Sequence, residues 1–419
     1  MLEYINLKNF KSIQNLELPL KKINVFIGPN GTGKSSISQS IALLKQSHRE
    51  VIWDGDLFNL GSFEKIVNNQ AKEKKIEIQF GGWFPPINNI DKIFGNKRII
   101  HGFHFGIDKK GLSEIGYKLD ELGLFEVTGT IRRTTDVKQQ KFAFDGVEIN
   151  FKEQFDLTNF LEVTGGSNSN KSNEFYEKVH DGIQTFLATN RNQLEYCKFI
   201  PATRGFDQTW YQLLDEVTSI QTSKGLTRQA EMAVTSMAHN SEIEHKITNL
   251  IKKILPDTQI NVRNLPQRRI QIVNKDKFGE YSITNEGFGL NQLIYLFMQF
   301  AISEKYSTLF IDEPEISLHP FSQSKLASVL VDESLKDEKQ LIITTHSEHI
   351  LLGMLEAVMQ KRLRHDFLGV YYFEKIDGIT KVTKIDVTEN GELKGGMKGF
   401  FEADLEHFDK FIESVKKKK

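Results

Sequence analysis

The N-terminal part of the chain changes its hydrophobic pattern twice. LEYINL and NLELPL alternate apolar and polar residues with the period of two that is typical of half-buried strands, whereas residues 23–27, INVFI, are mostly apolar, as in a buried strand. A glycine-rich turn follows, and after it Ile37, Ile41 and Leu44 recur on one helical face. The pattern therefore predicts three strands and then an amphipathic helix.

The middle of the chain carries weaker patterns. After residue 85, short alternating stretches such as GFHFGI, FEVTGTI and VEINF predict antiparallel strands of an inserted sheet, and the polar residues 166–173 predict an exposed loop. Helical periodicity returns at 174–190 and at 210–255, in segments too short for a long coiled coil. We therefore predict an insert over residues 86–260 that is first β-rich and then helical.

The last third of the chain alternates strands and helices. RRIQIVN, STLFID and QLIITT predict strands, and the helices between them are predicted at Leu290–Ile302 and at LASVLVDES. Such alternation implies a largely parallel sheet with helices on its faces, joined to the N-terminal strands across the insert. We predict an α/β fold in four parts, which are residues 1–85, 86–260, 261–385 and 386–419.

Composition and charge narrow the class of protein. The chain has 419 residues, 39% hydrophobic and 26% charged, which fits a soluble globular protein of two or three packed units. Its 54 lysines and arginines against 55 acidic residues give a net charge of −1, so the surface as a whole is not committed to nucleic acid or anionic lipid. A single cysteine, Cys197, excludes an internal disulfide and a cysteine-rich zinc site, and we expect a buried, inert thiol.

The sequence shows no targeting or membrane segment. The N-terminus carries charged residues where a signal peptide needs an apolar core, and the longest nearly apolar run, Leu290–Ile302, is too short to cross a bilayer. We therefore expect a cytoplasmic protein in a reducing compartment, with no membrane partner.

The strongest chemical signal is GPNGTGKS at Gly28–Ser35, which fits G-x-x-x-x-G-K-[ST] between an apolar strand and a helix. In such a loop the backbone N–H groups and the helix N-terminus bind phosphate, Lys34 reaches the terminal phosphates, and the Ser35 hydroxyl binds magnesium. The alternative is an ordinary glycine turn before a helix. The nucleotide-binding residues predicted from this motif are Asn30, Gly31, Thr32, Gly33, Lys34, Ser35 and Ser36.

A second buried strand ends in carboxylates. In TLFIDEPE, Asp312 follows the apolar residues and is predicted to share the magnesium with Ser35, while Glu313 is predicted to polarise the attacking water. Glu315 is a third carboxylate without an assigned role. The alternative is a strand-end turn with acidic helix caps.

His346 follows the strand LIITT and therefore lies at the carboxyl edge of the predicted sheet, where ligands of open α/β sheets bind. We predict that it contacts the γ-phosphate or positions the water. Two alternatives stay open, a metal site with His349 and His319, although their spacing is not that of a zinc site, and a plain surface histidine.

Two glycines, Gly287 and Gly289, stand just before the helix predicted at Leu290, in NEGFGLNQ. The order of the phosphate loop, this glycine segment, DEPE with its continuation ISLHP, and TTH resembles the ABC-class ATPases related to SMC, RecF and OLD proteins. The opening LKNFKSIQNLELPL is similar to theirs, and FIPATRG and the tail GELKGGMKGFFEADLEHFDK resemble segments of stand-alone relatives. The resemblance implies a P-loop ABC-type ATPase head with a mixed sheet, interrupted by an α+β insert.

The resemblance also implies a composite active site. Proteins of this class form head-to-tail homodimers in which the phosphate loop of one subunit meets the glycine signature of the other around ATP, so Gly287 and Gly289 would act in trans. The serine of the family signature is replaced here by Glu286 or Asn285, depending on the alignment. Two candidates stand for the Q-loop glutamine, Gln70 and Gln79.

The resulting hypothesis is an ATP-hydrolysing switch with Lys34, Glu313 and His346 as catalytic residues and with ATP and Mg²⁺ as its ligands. OLD-type enzymes carry a Toprim nuclease, but KIDVTEN near the C-terminus lacks an Asp-x-Asp pair, so we expect a separate effector, a nuclease or toxin, in anti-phage defence or DNA maintenance. One alternative is a RecF-type DNA-binding repair ATPase, and another is a nucleotide-bound scaffold with slow turnover. DNA binding would depend on a few basic groups, which are Arg132-Arg133, Arg263, Arg268-Arg269 and Lys361-Arg362-Arg364.

Overall fold

A computed structural model of the chain describes most of the residues that the motifs occupy. The described residues are 1–47, 51–83, 100–120, 126–132, 140–144, 147–151, 194–214 and 225–395. The predicted loop at 166–173, the predicted helix at 174–190 and the tail beyond residue 395 lie outside them.

The strands follow the chain in the order expected for two α/β halves separated by a β-rich segment. They are β1 (Leu2–Phe10), β2 (Ile13–Pro19), β3 (Ile23–Ile27), β4 (Ile76–Trp83), β5 (Ile100–Asp108), β6 (Gly111–Asp120), β7 (Glu126–Arg132), β8 (Gln140–Phe144), β9 (Val147–Phe151), β10 (Cys197–Ile200), β11 (Tyr211–Gln212), β12 (Ile260–Leu265), β13 (Arg269–Lys275), β14 (Glu280–Ser282), β15 (Thr308–Asp312), β16 (Gln340–Thr345), β17 (Leu368–Ile376) and β18 (Ile379–Ile385).

Five of the seven α-helices in the described residues lie outside the predicted insert. The seven are α1 (Lys34–Gln46), α2 (Phe63–Ile66), α3 (Gly225–His239), α4 (Ser241–Ile254), α5 (Phe288–Ile302), α6 (Pro320–Lys336) and α7 (Glu348–Met359), with short 3₁₀ helices at Ile283–Asn285 and His365–Phe367. Predicted elements that the structure confirms are the strand at 23–27, the helix after Gly33 and the buried helix that ends at Ile302.

The central sheet joins the N-terminal and C-terminal parts of the chain, as predicted. Six of the described strands form it in the order β10-β15-β16-β3-β17-β18, and all neighbours are parallel except the final pair. Because β3 pairs with β16 on one side and with β17 on the other, the loop after β3 lies next to the end of β16. Parallel strands end at one edge, so the phosphate loop, the acidic strand end and His346 share that edge.

The first two strands, β1 and β2, belong to a different sheet. In the part of the chain that the structure describes, eight strands form an antiparallel sheet in the order β2-β1-β4-β5-β6-β7-β8-β9. The strands after residue 85 are therefore not a sheet of their own, since β5 pairs with β4 from Ile76↔Ile107 to Trp83↔Ile100 and extends the N-terminal sheet. The prediction of a separate inserted sheet is wrong, because the first strand of the insert, β5, pairs with the free edge of β4. The domain boundary at residue 85 stays a prediction.

The helical segment predicted at 210–255 begins later than the periodicity indicates. Tyr211–Gln212 is strand β11, which pairs with β13, and the described helical residues begin at Gly225. A break follows at Asn240, whose side chain accepts a hydrogen bond from the Glu242 N–H at 2.9 Å and caps α4. Two helices therefore replace one, and both α3 and α4 contact α5.

The central sheet separates two hydrophobic clusters, because successive side chains of a strand point to opposite faces. Val25 and Ile311 belong to the cluster formed with helices α3 to α7, while Phe26 and Phe310 belong to the cluster formed with α1 and the antiparallel sheet. Cys197 is buried in the second cluster, where desolvation raises the pKa of its thiol to about 11. The thiol is inert at neutral pH, as expected.

Candidate active site

The phosphate loop has a backbone that its glycines make possible. Gly28, Gly31 and Gly33 have φ angles of +147°, +74° and +98°, which side chains with a Cβ rarely adopt. A Cβ added at Gly28 would lie 2.1 Å from the carbonyl oxygen of Phe373, so only glycine fits between β3 and β17. The pattern of glycines in the sequence therefore reflects steric demands of the neighbouring strand as well as phosphate binding.

A cleft of about 640 Å³ opens over this loop. All seven loop residues predicted from the motif line it, from Asn30 to Ser36, and so do Glu313 and His346. The structure thus brings together the phosphate loop, the acidic strand end and the histidine, although the phosphate loop lies more than 270 residues before the other two in the sequence. The roles assigned to these residues stay predictions.

Lys34 begins helix α1 and extends back across the loop. Its Nζ donates hydrogen bonds to the carbonyl oxygens of Gly28 at 2.9 Å and Pro29 at 2.8 Å. Burial lowers the pKa of Lys34 to about 8, and Glu313 is the first of the carboxylates that oppose this shift. The ammonium therefore remains mainly protonated at neutral pH and can transfer its hydrogen bonds from two carbonyls to phosphate oxygens.

Asp312 ends β15 as a buried carboxylate beside Ser35. The Thr344 hydroxyl donates to its Oδ1 at 2.9 Å, and the Ser35 hydroxyl also hydrogen bonds to it. Burial nevertheless raises the pKa of Asp312 to about 6, and the nearby Glu313 adds to this rise. A hydroxyl beside a desolvated carboxylate suits a hard cation, because Mg²⁺ prefers oxygen ligands and would favour the ionised form of Asp312.

Glu313 has a strained backbone. Its φ of +47° lies in the left-handed region, which is uncommon for residues other than glycine, and its N–H donates to the Thr344 carbonyl at 2.8 Å. The side chain is about one-third exposed and faces the cleft, with Oε1 at 3.4 Å from Nε2 of His346. A carboxylate held in this way at the mouth of a phosphate site is positioned to accept a proton from water.

His346 lies between the acidic strand end and the phosphate loop. It faces Glu313 on one side and hydrogen bonds to the Gly28 backbone on the other. Burial lowers its pKa, and the nearby Lys34 ammonium lowers it further. The imidazole is therefore neutral at pH 7, which leaves one ring nitrogen able to donate and the other able to accept a hydrogen bond.

Glu315 lies outside the cleft and supports it from behind. Its Oε1 accepts hydrogen bonds from the Thr345 hydroxyl at 2.6 Å and from the backbone N–H of His346 at 2.9 Å. The sequence pattern does not assign a role to this carboxylate. The structure shows that it holds the end of β16, and with it the backbone of His346.

The glycine segment does not line the cleft, and α5 begins at Phe288, so Gly289 lies in its first turn rather than before the helix as predicted. Among the described residues, no atom lies within 4 Å of a Cβ built at Gly287, whereas a Cβ at Gly289 would lie 2.6 Å from the Ser317 carbonyl oxygen. Phe288, between the two glycines, is 68% exposed. Within one chain, the segment therefore forms a surface of its own beside the loop that follows the acidic strand.

The two candidate Q-loop glutamines differ in position. Gln70 lines the cleft, and its Nε2 donates to the Asp377 carbonyl at 2.9 Å. Gln79 lies within β4, opposite Asn6 and His104, and is not among the described residues around the cleft. The geometry favours Gln70, and its assignment stays a prediction.

Several polar residues of the cleft wall are not predicted from the sequence. Lys11, in the turn between β1 and β2, lines the cleft and donates to the side chain of Gln39, and burial lowers its pKa. Lys65 and Lys375 line other parts of the wall. The opening LKNFKS contains Lys11, but without the structure nothing distinguishes it from any other turn lysine.

The other histidines do not join His346. His319 caps α6 through Nδ1, which accepts from the Phe321 N–H at 3.3 Å, and His349 lies in α7. Over the described ranges, no group of three histidine, cysteine or carboxylate side chains could hold a metal ion.

Several of the basic residues considered for DNA binding contact other side chains of the same chain. Three of the arginines form ion pairs, Arg263 with Glu280, Arg362 with Asp332 and Arg364 with Asp366, and Arg269 stacks at 4.0 Å over the ring of Trp210. The side chains of Arg132-Arg133 lie outside what the structure describes.

In the helices that it does describe, none has the length and apolar character needed to cross a membrane.

The parallel sheet, the phosphate loop between β3 and α1, and the acidic end of β15 define a P-loop ATPase head of the ABC type, an enzyme that binds and hydrolyses ATP. The chain belongs to the AAA ATPase domain family, whose model matches residues 1–351. This confirms the resemblance to the group of ATPases that includes RecF.

Curated relatives of the chain include replication and repair proteins and an endonuclease. The DNA replication and repair proteins RecF of Geobacter sp. (strain M21) and of Citrifermentans bemidjiense are 32% and 31% identical over 115 residues, 23% of this chain and 30% of each relative. Endonuclease GajA of Bacillus cereus (strain VD045) is 20% identical over 366 residues, 84% of this chain and 56% of the relative. The chain thus spans about a third to somewhat over half of the length of these relatives.

Solved structures similar to the chain include heads of SMC proteins. One is the Smc head domain with an extended coiled coil bound to the C-terminal domain of ScpA, from Pyrococcus furiosus, with a TM-score of 0.49, 14% identity and 99% coverage of both chains. Another is an SMC head bound to the C-winged helix domain of ScpA, with a TM-score of 0.48, 16% identity, and coverage of 93% of this chain and 98% of that one.

Proposed function

We propose that this chain is an ATP-driven switch that forms a head-to-tail homodimer around nucleotide and controls a separate effector, a nuclease or toxin, in anti-phage defence or DNA maintenance. The observation that carries the proposal is the division of the site. The phosphate loop, Glu313 and His346 converge on one cleft, whereas the glycine segment at Gly287 lies on a surface of its own. The names of the relatives, a replication and repair protein and an endonuclease, support a setting in DNA metabolism.

In the proposed reaction the loop residues bind and orient ATP. The backbone amides of the loop and the N-terminus of α1 bind the phosphates, and Lys34 moves its hydrogen bonds from the Gly28 and Pro29 carbonyls to the terminal phosphates. Ser35 and Asp312 are the residues that would hold Mg²⁺, which supplies charge neutralisation at phosphate oxygens.

Hydrolysis requires a base near the water and a donor near the phosphate. Glu313 accepts the proton of the attacking water, and neutral His346 donates a hydrogen bond toward the γ-phosphate or the water. The signature glycines of the partner subunit complete the site with backbone amides at the N-terminus of α5.

Two variants test this assignment. Lys34→Ala is expected to lose ATP binding, because it removes the cation of the phosphate loop, whereas Glu313→Gln is expected to keep ATP binding and lose hydrolysis by about 100-fold or more. ATP affinity by equilibrium titration and steady-state phosphate release measure the two properties separately. Glu389→Gln, at an exposed carboxylate away from the cleft, is the matched control. Wild-type turnover in Glu313→Gln would contradict the assignment of the base.

A further inference from the structure

The segment 201–206 lies between two parts of the ATPase head. It follows β10, which pairs in parallel with β15 from Cys197↔Thr308 to Ile200↔Ile311. Both strands therefore end at the same edge of the sheet, and the segment turns beside the residues that follow β15. Its conformation depends on Gly205, whose φ is +124°.

Arg204 is buried beneath the catalytic loop. Its Nη1 donates to the Asp312 carbonyl at 2.9 Å and its Nη2 donates to the carbonyls of Glu313 and Pro314, each at 3.1 Å. Nη1 also donates to the Pro201 carbonyl at 3.1 Å, within its own segment. One guanidinium thus binds the three consecutive carbonyls of residues 312–314, which we call the catalytic loop. It holds the backbone of Glu313 and leaves the carboxylate facing the cleft.

The loop needs such a partner. Three consecutive carbonyl dipoles converge on one point, and Glu313 has a left-handed backbone, so the arrangement is unfavourable without a cation between the carbonyls. A guanidinium suits this position because its N–H donors have a fixed, planar geometry, whereas an ammonium is a point donor on a flexible stem. Burial lowers the pKa of Arg204 to about 10, which leaves it charged at neutral pH.

The same segment is held at its other end by the helix that carries the glycine signature. The Asn291 side chain, in the first turns of α5, accepts from the Phe206 N–H at 2.7 Å and donates to the Phe206 carbonyl at 2.9 Å. A Cβ at Gly205 would lie 2.8 Å from the Asn291 Oδ1. The position of α5 is therefore connected through Asn291, Phe206 and Arg204 to the backbone of Glu313.

We propose that Arg204 is a positioning residue that fixes the Glu313 carboxylate by holding the backbone of residues 312–314, and that Asn291 couples this position to helix α5. The proposal rests on the proposed function, in which Glu313 polarises the attacking water. Contact of a partner subunit with the N-terminus of α5 then changes the placement of the base in the same chain. This gives hydrolysis a dependence on dimer contact that does not involve the nucleotide cleft itself.

The first test separates positioning from stability. Arg204→Ala is expected to lower kcat by about 100-fold and to change ATP affinity by less than about threefold, because a displaced base costs rate while the phosphate loop is intact. Arg204→Lys keeps the charge and loses the planar contact, so its kcat is expected to lie between those of the wild type and Arg204→Ala. Lys339→Met is the matched control, since Lys339 is a buried cation that donates to a backbone carbonyl, that of Phe300, at the opposite end of the sheet.

All variants are compared with Glu313→Gln and with the double variant Arg204→Ala/Glu313→Gln. If Arg204 acts through Glu313, the double variant turns over no more slowly than Glu313→Gln. The inference would be overturned if the kcat losses of Arg204→Ala and Glu313→Gln multiplied in the double variant. It would also be overturned if Arg204→Ala and Arg204→Lys had the same kcat as Lys339→Met. Wild-type turnover of Glu313→Gln would instead overturn the proposed function. If Arg204→Ala does not fold, Arg204→Lys decides by the same comparison.

The coupling to α5 has its own variant. Asn291→Leu removes both hydrogen bonds to Phe206 and leaves the Arg204 contacts, and we expect kcat to fall by about tenfold with ATP affinity unchanged. Gln299→Leu, later in the same helix, is the control for a polar-to-apolar change. Equal kcat values for the two helix variants would refute the coupling, even if the effect of Arg204→Ala is as expected.

Discussion

The buried carboxylate of Asp312 predicts a specific dependence of stability on pH. Burial raises its pKa from 3.8 to about 6, a shift of about two units, and each unit corresponds to about 1.4 kcal/mol. In the folded chain Asp312 keeps its proton until about pH 6, whereas in the unfolded chain it loses the proton near pH 4. Between these values the folded state binds more protons, so the free energy of unfolding falls as the pH rises.

Asp312→Asn removes this titration and retains an oxygen that can accept from the Thr344 hydroxyl. Without nucleotide and with metal chelated, the variant and the wild type are expected to have similar unfolding free energies at pH 4. At pH 7 the variant is expected to be more stable by up to about 3 kcal/mol, from the two-unit shift. Two neighbouring charged groups, Glu313 and Arg204, act on Asp312, and both proteins contain them.

The assay is denaturant unfolding of both chains at a series of pH values from 4 to 8, and the measured quantity is the difference between their unfolding free energies. Asp257→Asn, at an exposed position, is the control. A difference that stays the same from pH 4 to pH 8, or a variant that is less stable at pH 7, would refute the reasoning. Hydrolysis by Asp312→Asn is expected to be lost, since the proposed magnesium ligand is removed.

Three further predictions concern the loop, the dimer and DNA. Gly28→Ala is expected to abolish ATP binding or folding, because its Cβ would overlap the Phe373 carbonyl, and ATP titration with thermal unfolding measures both. A mixture of Lys34→Ala and Gly287→Trp chains is expected to regain a fraction of the wild-type ATPase rate, because one composite site of the mixed dimer is intact. The shared site would be excluded if the mixture were as inactive as each variant alone and the wild-type turnover did not depend on concentration. Duplex DNA is expected to bind weakly and with strong salt dependence, and submicromolar affinity at near-physiological salt in a fluorescence titration would favour the RecF-type alternative.

The parts of the site that the sequence predicted are those fixed by local sterics. The phosphate loop is encoded by glycines at positions of positive φ, and the acidic strand end by apolar residues that stop at Asp312, so both motifs have a short and specific spelling. The shared edge of the sheet follows from the strand order, which predicts that His346 lies beside these two motifs.

The parts that the sequence did not predict depend on contacts between distant residues. Arg204 contacts the catalytic loop across more than 100 positions, and Lys11 reaches the cleft from a turn at the far N-terminus. Strand pairing is equally non-local, which is why the local pattern of β5 to β9 predicts a sheet of their own rather than an extension of β4. Local patterns show which face of an element is buried, but they do not show which partner buries it.

Three carboxylates follow one another within four residues of the acidic loop, and the structure gives each a different environment. Asp312 is buried beside the Ser35 hydroxyl, Glu313 faces the cleft, and Glu315 binds the end of β16 behind His346. Like charges this close repel, and two cations offset them from opposite sides, Lys34 from the phosphate loop and Arg204 from beneath. In the proposed reaction ATP becomes the partner of Lys34, whereas Arg204 keeps its contacts with residues 312–314. We therefore expect Arg204 to determine the position of the proposed base during hydrolysis.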